Sequence, residues 1–199
     1  AHVIAKITNH LTATAPLRLL FIGNLMARKG LHTVLDALAR LATRNWHLHV
    51  VGSHEVDPDY SAAMRHRANT LSLTPAITWH GRVGDDELVN LLDAGDLLVM
   101  PSYEGFGIVF LEAMAYGLPV LAANVGAAWE IVHPGINGYL ISHDDDLSLA
   151  NYLALLQQNR VHLTTLAYHA RQRYEAHSTW KQSMNAAFLW LRQVCERHH

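Results

Sequence analysis

Hydrophobic positions along the chain alternate between short continuous runs and stretches with helical spacing. Residues 17–22 form a short apolar run that Gly23 closes, which is typical of a buried strand. After the next loop, apolar side chains recur at helical intervals at Leu31, Val34, Leu35, Leu38 and Leu41. The folded pattern therefore opens with a strand, a loop and an amphipathic helix.

The same alternation continues through residue 142. Further strands are predicted over 48–51, 77–80, 97–101, 119–123 and 139–142. The helices between them are predicted over 60–71, 86–93, 108–116 and 128–132. Beyond Asp144 the apolar spacing is helical to the end of the chain, in segments 147–157, 161–177 and 179–197.

Strands that alternate with helices predict an α/β fold, because parallel neighbours need a crossover between them. We expect a doubly wound, Rossmann-like parallel sheet of about six strands, with helices on both faces and a helical C-terminus. Residues 1–16 show no clean period and are assigned to an arm or linker, and residues 17–199 to one domain. Ligands of such sheets bind beyond the carboxyl ends of the strands. The loops that matter are therefore 23–30, 52–59, 81–85, 102–107 and 124–127.

The composition excludes several classes of function. Half of the 199 residues are hydrophobic, so a sizeable core is available. A formal net charge of -2 lacks the basic field of most nucleic-acid binders, so no nucleic-acid partner is expected. The single cysteine, Cys195, cannot form an internal disulfide and fits a reducing compartment.

The longest uncharged run, residues 113–129, is interrupted by Gly117 and Pro119 and is not expected to cross a membrane. The predicted location is therefore the cytoplasm, and a peripheral position at the inner membrane face stays open.

No metal site and no cofactor is predicted. The fifteen histidines are scattered and form no HExxH or CxxC…H pattern. The acidic run Asp144-Asp-Asp146 directly precedes a predicted helix, where Asp caps the N-terminus. Asp85 and Asp86 have the same explanation before the helix at Glu87.

The segment with the most chemical content is Pro101-Ser-Tyr-Glu-Gly-Phe-Gly-Ile-Val-Phe-Leu-Glu-Ala-Met-Ala-Tyr-Gly-Leu-Pro-Val, which runs from a strand end through a glycine loop into a helix. Gly105 and Gly107 let the backbone approach a ligand, and the helix that follows presents free N–H groups to an anion such as a diphosphate. Glu112 lies about one turn inside that helix and leans back toward its start. A carboxylate there suits the vicinal hydroxyls of a sugar, which donate two hydrogen bonds to it.

Each glutamate alone has a simpler explanation, since Glu112 could be a solvated helix position and Glu104 a loop charge. Together with the glycine loop, they resemble the retaining glycosyltransferases of the GT-B type, in the large family 4. The mark of that family is Glu-x7-Glu around a Gly-Phe-Gly loop, and Glu104-Gly-Phe-Gly-Ile-Val-Phe-Leu-Glu112 matches it at each position.

The resemblance extends over about residues 17–195, since further segments follow in the family's order. They are Phe21-Ile-Gly, Arg28-Lys-Gly30, Val51-Gly52, His80-Gly-Arg-Val83, Asp86-Glu-Leu88, 96–101, Gly117-Leu-Pro-Val120, Val125-Gly126, Glu130-Ile-Val132 and Asn137-Gly138.

The resemblance implies the donor half of a nucleotide-sugar site between two Rossmann-like domains. By analogy, Glu112 holds the ribose, Glu104 contacts the donor sugar and Lys29 neutralises the diphosphate, while Arg82 and Val83 flank the nucleobase. Glu104 and Lys29 are the implied catalytic residues. The implied donor-binding set is Gly23, Asn24, Arg28, Gly52, Arg82, Val83, Gly105, Phe106, Gly107, Ile108, Val109 and Glu112.

The chain departs from the family pattern in two places. Members usually carry an arginine directly after the first-strand glycine, where this chain has Asn24, so a positive charge on the diphosphate is missing. Arg28 could replace it or could be a solvated neighbour of Lys29. The second departure is Gly52-Ser53-His54, where the family often has glycine, an acidic residue and glycine.

These observations predict the donor-binding domain of a retaining glycosyltransferase that takes a nucleotide-diphosphate sugar and needs no metal at the donor site. The acceptor, a saccharide or a lipid, would bind an N-terminal domain that is absent from these residues, so the chain alone is expected to bind but not to turn over. The alternatives are a non-catalytic nucleotide-sugar-binding module and a related phosphorylase or epimerase. Trp180, Phe188, Trp190 and Leu191 are expected to pack, and if exposed, to mark a domain interface as in the family.

Overall fold

The computed structural model describes residues 2–9, 15–178 and 180–197. Its six strands are β1 (Leu17–Ile22), β2 (Trp46–Val51), β3 (Ile77–Gly81), β4 (Leu97–Met100), β5 (Val120–Ala123) and β6 (Gly138–Ile141). Its helices are α1 (His2–Asn9), α2 (Leu31–Ala39), α3 (Pro58–Thr70), α4 (Asp85–Ala94), α5 (Ile108–Ala115), α6 (Ala128–Ile131), α7 (Asp146–Gln158), α8 (Arg160–Ala176) and α9 (Trp180–Arg197).

The strands form one parallel sheet in the order β3-β2-β1-β4-β5-β6. This confirms the predicted doubly wound, Rossmann-like fold. The direction of winding reverses between β1 and β4, so the loops that follow these two strands diverge and leave a crevice at the carboxyl edge. The predicted ligand loops all lie at this edge.

The central strands are buried on both faces, which explains their continuous apolar sequence. Leu19, Leu20 and Phe21 of β1 are fully buried, and every residue of β4 and β5 is buried. Helices cover the two faces, with α2 contacting α3 and α7 and with α5 contacting α8. The edge strand β3 is less covered, and its residues 78–81 are partly exposed.

Acidic residues start several helices, as the sequence indicates. Asp145 accepts a hydrogen bond from the Ser148 N–H and caps α7, which confirms the capping interpretation of that acidic run. At α4 the prediction is wrong in detail, because Gly84 is the N-cap and Asp85 and Asp86 lie inside the first turn. Their carboxylates there still face the positive end of the helix dipole.

The segment assigned to an arm contains a helix that the residue pattern did not indicate. Within α1, Ile7 is buried, and its Cδ1 lies 2.8 Å from the point that a Cβ on Gly117 would occupy. The contact with α8 holds α1 against the domain. Eight residues give too few apolar positions to establish a period.

At the other end of the chain, α9 is surrounded by solvent. Phe188, Trp190 and Leu191 are 64%, 62% and 55% exposed, so the expectation that they pack is wrong within this chain. The side chain of Trp180 and residue Thr179 lie outside the described part. None of the helices that the structure describes is long and apolar enough to cross a membrane.

Candidate functional site

The loops at the carboxyl ends of β1, β2 and β3 are joined to one another by backbone hydrogen bonds. The Gly23 N–H donates to the carbonyl of Val51, and the Gly52 N–H donates to the carbonyl of Gly81. Gly52 has a φ of 142°, and a Cβ there would collide with the carbonyl group of Gly23. Only glycine lets these two loops approach so closely.

Lys29 reaches the site from a 3₁₀ turn, Ala27–Lys29, that precedes α2. Its Cδ and Cε lie 3.3 Å from the point that a Cβ on Gly23 would occupy, so the aliphatic stem runs over that glycine. Its Nζ donates to Glu104 Oε1 at 2.5 Å. The two side chains are only 13% and 16% exposed, so this ion pair is largely removed from water.

Glu104 is held by a second donor that no feature of the sequence had singled out. The hydroxyl of Ser102, a fully buried residue at the end of β4, donates to the same Oε1 at 2.7 Å. The backbone carbonyl of Glu104 accepts from the Ala127 N–H at 2.8 Å. The carboxylate is thus fixed through one oxygen. The signal that could have marked Ser102 is its place two residues before a glutamate at a strand end.

The N-terminus of α5 faces the same space. Gly107 is its N-cap, with a φ of 65° and no capping side chain. The first hydrogen bonds of the helix are donated to the Gly107 carbonyl by Phe110 and Leu111. The N–H groups of Ile108 and Val109 precede them and point out of the helix start, where they can donate to an anion.

Seven predicted residues of the motif line one cavity of about 360 Å³. They are Glu104, Gly105, Phe106, Gly107, Ile108, Val109 and Glu112, with Ile22 of β1 completing the wall. The Phe106 side chain is 85% exposed at its rim. The Glu112 residue is exposed, and partial burial of its carboxyl group raises its pKa. The structure therefore brings the two glutamates of the motif to one place.

A second cavity of about 470 Å³ lies beside the first and shares Ile22 with it. Five predicted residues, Gly23, Asn24, Gly52, Arg82 and Val83, line this cavity. We call these two neighbouring cavities the trough: the α5 N-terminus lines the first, and Arg82 and Val83 line the second.

Asn24 and Arg28 are the two candidates that bear on the missing family arginine. The Asn24 Oδ1 accepts a hydrogen bond from the Ser53 N–H at 3.3 Å, so this side chain stabilises the loop after β2. The two departures from the family pattern therefore contact each other. Neither Arg28 nor Lys29 lines the two cavities, but Lys29 is paired with Glu104 at their edge, whereas Arg28 is exposed.

The arrangement combines a buried cation, a helix N-terminus and two carboxylates beside an apolar strand end. The first two features bind anions, and carboxylates accept hydrogen bonds from hydroxyl groups. Among residues 2–9, 15–178 and 180–197, no group of three or more His, Cys, Asp or Glu side chains has the geometry to hold a metal ion.

The sequence matches known proteins over most of its length. The family model of "Glycosyl transferases group 1" matches residues 5–173. Glycogen synthase from Mycobacterium tuberculosis is 31% identical over 170 residues, which are 84% of this chain and 40% of that protein. D-inositol 3-phosphate glycosyltransferase from Mycobacterium marinum is 31% identical over 182 residues, which are 87% of this chain and 38% of that protein. The chain thus spans less than half the length of these relatives.

Solved structures share the fold. The crystal structure of Anabaena HepE in complex with UDP and glucose superposes with a TM-score of 0.80 at 26% identity, over 94% of this chain and 51% of that one. Sucrose-phosphate synthase from Thermosynechococcus elongatus superposes with a TM-score of 0.78 at 28% identity, over 96% of this chain and 49% of that one. The chain is a Rossmann-like domain of the GT-B type and belongs to the glycosyl transferases group 1 family.

Proposed function

We propose that this chain is the donor-binding part of a retaining glycosyltransferase of family 4, which transfers a sugar from a nucleoside diphosphate to an acceptor. The observation that carries the proposal is the cavity in which Glu104, Glu112 and the α5 N-terminus meet, with Lys29 paired to Glu104 beside it. UDP is bound in the related HepE structure, which supports a nucleotide-sugar as the ligand.

The diphosphate would lie at the start of α5. The N–H groups of Ile108 and Val109 and the positive end of the helix dipole attract an anion at that point. A hydrogen bond to Glu104 holds Lys29 near this point, and the Lys29 Nζ would turn toward the phosphates when they bind. Because Asn24 is neutral where the family pattern has an arginine, the diphosphate would meet one cation fewer than the family pattern offers.

The nucleoside and the sugar would lie on opposite sides of the diphosphate. Glu112 lines the trough within reach of the ribose hydroxyls, and Arg82 and Val83 would flank the base in the neighbouring cavity. Glu104 would contact the donor sugar with Oε2, since its Oε1 already accepts from Lys29 and Ser102.

The same groups would assist bond cleavage. Negative charge grows on the nucleoside diphosphate as the glycosidic bond breaks, and a fixed cation with helix N–H donors stabilises it. One such preorganised donor is worth about 3 kcal/mol, or about a hundredfold in rate. These protein groups supply the positive charge, so the proposal requires no metal at the donor site.

The acceptor would bind outside this chain. Because the chain covers only 38–40% of its relatives, we expect a further domain of the full-length protein to hold the acceptor, a saccharide or a lipid. These 199 residues alone would bind the donor without turnover.

Calorimetric titration tests the donor site directly. The chain is titrated with UDP, GDP, ADP and UDP-glucose, beside the variants Glu112→Ala and Lys29→Ala. We expect binding of at least one nucleotide and a clear loss of affinity in both variants. Lys181→Ala and Glu196→Ala on exposed α9 are matched controls that should bind like the original chain. A folded sample that binds none of the nucleotides would contradict the proposal.

A second candidate function is a nucleotide-sugar-binding module without turnover, which the neutral Asn24 favours. The variant Asn24→Arg discriminates between the two. A working transferase site should gain diphosphate affinity or change its nucleotide preference, whereas a silent site should gain nothing. Product analysis of the full-length protein with UDP-glucose and free glycans then decides on transfer.

A further inference from the structure

Three polar side chains outside the trough, Tyr60, His32 and Asp144, form a continuous hydrogen-bonded triad. The His32 Nδ1 lies 2.9 Å from the Tyr60 hydroxyl, and the His32 Nε2 lies 3.1 Å from Asp144 Oδ1. Tyr60 belongs to α3, His32 to α2 and Asp144 to the loop between β6 and α7. The triad therefore joins three segments that are far apart in sequence.

The central residue of the triad, His32, lies in the first turn of α2, close to Lys29. The helix has Gly30 as its N-cap, which carries no side chain to satisfy the first N–H groups. The Tyr60 hydroxyl satisfies one of these N–H groups instead, since it accepts a hydrogen bond from the His32 N–H at 3.2 Å. A tyrosine from another helix thus replaces the missing cap.

Asp144, at the other end of the triad, makes further contacts. Asp144 Oδ1 also accepts from the Thr33 hydroxyl at 3.2 Å, and His143 Nδ1 lies 3.0 Å from Asp144 Oδ2. Asp144 has a φ of 56°, a left-handed conformation that costs free energy in residues other than glycine. The contacts with the first turn of α2 compensate for that cost.

The hydrogen bonds of the three side chains are mutually compatible. Because the Tyr60 oxygen accepts from the His32 backbone N–H, its own hydrogen is free to point to Nδ1. In the tautomer with the proton on Nε2, Nδ1 accepts from Tyr60 and Nε2 donates to Asp144. Every donor of the three side chains then faces an acceptor.

We propose that Tyr60, His32 and Asp144 are positioning residues that hold the Lys29 turn in place for the diphosphate. Lys29 and Gly30 lie between two fixed points, the capped first turn of α2 and the end of β4, where a Cβ on Gly30 would come within 2.5 Å of the Pro101 carbonyl oxygen. Loss of the Tyr60 cap would release the Ala27–Lys29 turn at its α2 end. The Lys29 Nζ would then move away from Glu104. The inference rests on the proposed donor site.

The consequence is selective, because the three residues act through Lys29 alone. The diphosphate would contact Lys29, while the nucleoside would contact Arg82, Val83 and Glu112, which other elements carry. A substitution that breaks the hydrogen bonds of the triad should therefore weaken the binding of UDP and leave the binding of uridine unchanged. A general loss of structure would weaken both.

The experiment compares UDP and uridine titrations of the original chain and of Tyr60→Phe and Asp144→Gly, well below their melting temperatures. Glycine removes the acceptor and keeps the left-handed backbone of this position. We expect both variants to bind UDP about fivefold more weakly, as the loss of a helix cap implies, and uridine as before. Tyr152→Phe is the matched control, since this ring stacks on Tyr139 and no hydrogen bond of its hydroxyl is present among the described residues. It should change neither affinity.

A double-mutant cycle separates positioning from simple stability. In a Lys29→Ala background, Tyr60→Phe should have no further effect on UDP affinity, because the residue that it positions is gone. An additive loss, an equal loss of uridine affinity, or unchanged UDP affinity in Tyr60→Phe would each overturn the inference. If the unmodified chain binds no nucleotide at all, the proposed donor site itself has failed.

Discussion

The two glutamates of the motif differ in their surroundings, although they line the same cavity. Glu104 accepts from Lys29 and Ser102 and is fixed in one position. For Glu112, no hydrogen bond of the carboxylate is present among the described residues, and burial raises its pKa. A fixed carboxylate suits the reacting sugar, and an unpaired one is available to two ribose hydroxyls. The division of roles that the resemblance implies thus has a physical basis.

The variant Ser102→Ala tests how far the hydroxyl fixes Glu104. Removing it leaves the buried Oε1 with Lys29 as its one donor, so we expect unfolding to become easier by about 1 kcal/mol. UDP-glucose should bind about fivefold more weakly relative to UDP, because only the sugar would contact Glu104. Urea unfolding and calorimetry measure both effects. Equal losses for the two ligands would contradict the expectation, and Ser183→Ala on α9 is the control.

A histidine cluster on the open sheet face predicts a pH-dependent stability. His49 Nδ1 lies 3.0 Å from His80 Nε2, and the rings of His47 and His49 are 4.9 Å apart. Burial, followed by the charges of His47, His80 and Arg18, lowers the pKa of His49 from 6.5 to about 4. Between these two values the unfolded chain binds a proton at His49 that the folded chain does not bind. The free energy of unfolding therefore falls as the pH drops through this window.

The variant His49→Gln should remove that part of the pH dependence. At neutral pH the neutral imidazole is the stable form in both states, so the linkage term is absent there. Toward the lower end of the window the original chain should lose about 1–2 kcal/mol that the variant does not lose, since solvent screens a half-buried ring and reduces the full linkage value. Urea unfolding across the window measures the difference between the two chains. The exposed His66→Gln should keep the original slope, and an identical slope in His49→Gln would refute the assignment.

At the scale of elements, the sequence predicts those features that depend on local pattern. β1 spans residues 17–22 in both prediction and structure, because both faces of the strand are buried and its run of apolar residues is continuous. The predicted ends of α3 and α7 differ from the observed ends by one or two residues, since Asp57 and Asp145 cap them one position before the first helical residue. Short-range signals of this kind can be read without coordinates.

Contacts between distant elements could not be predicted in this way. The pairing of Asn24 with Ser53 and the placement of Tyr60 over the start of α2 depend on the sheet order, which brings remote loops together. For the same reason the sequence alone does not show that Lys29 pairs with Glu104 while its neighbour Arg28 is exposed. Sequence spacing does not report which of two neighbouring cations turns inward.

Gly30 joins two elements and tolerates no side chain. It has a φ of 74°, and a Cβ there would lie 2.5 Å from the Pro101 carbonyl oxygen. We expect Gly30→Ala to destabilise the fold by about 1–3 kcal/mol and to weaken UDP binding through the neighbouring Lys29. Gly84→Ala is the matched control, since φ is -79° and nothing lies within 4 Å of the added methyl group. Thermal unfolding that ranks the two variants equally would contradict this reasoning.

At the scale of the whole molecule, the near-neutral charge is consistent with the proposed donor site. The formal net charge is -2, so no broad field draws polyanions to the surface. One diphosphate needs only a local cation and a helix N-terminus, and both stand at the reversal point of the sheet. The apolar residues of α9, Met184, Phe188 and Leu191, are exposed and leave a hydrophobic face at the end of the chain.

Ligand binding at the trough should stabilise the entire domain, because only the folded state forms it. The trough lies between loops that follow different strands, so unfolding any part of the sheet removes it. UDP at about one hundred times its dissociation constant adds roughly 2.7 kcal/mol to the free energy of unfolding. For a domain of this size, that should raise the melting temperature by roughly 5–10 °C. Glu112→Ala at the same UDP concentration should show a much smaller rise, and uridine should stabilise less than UDP. A melting temperature that UDP leaves unchanged, in a sample that binds UDP by calorimetry, would mean that the unfolded chain binds UDP as well as the folded chain does, which contradicts a site that the fold creates.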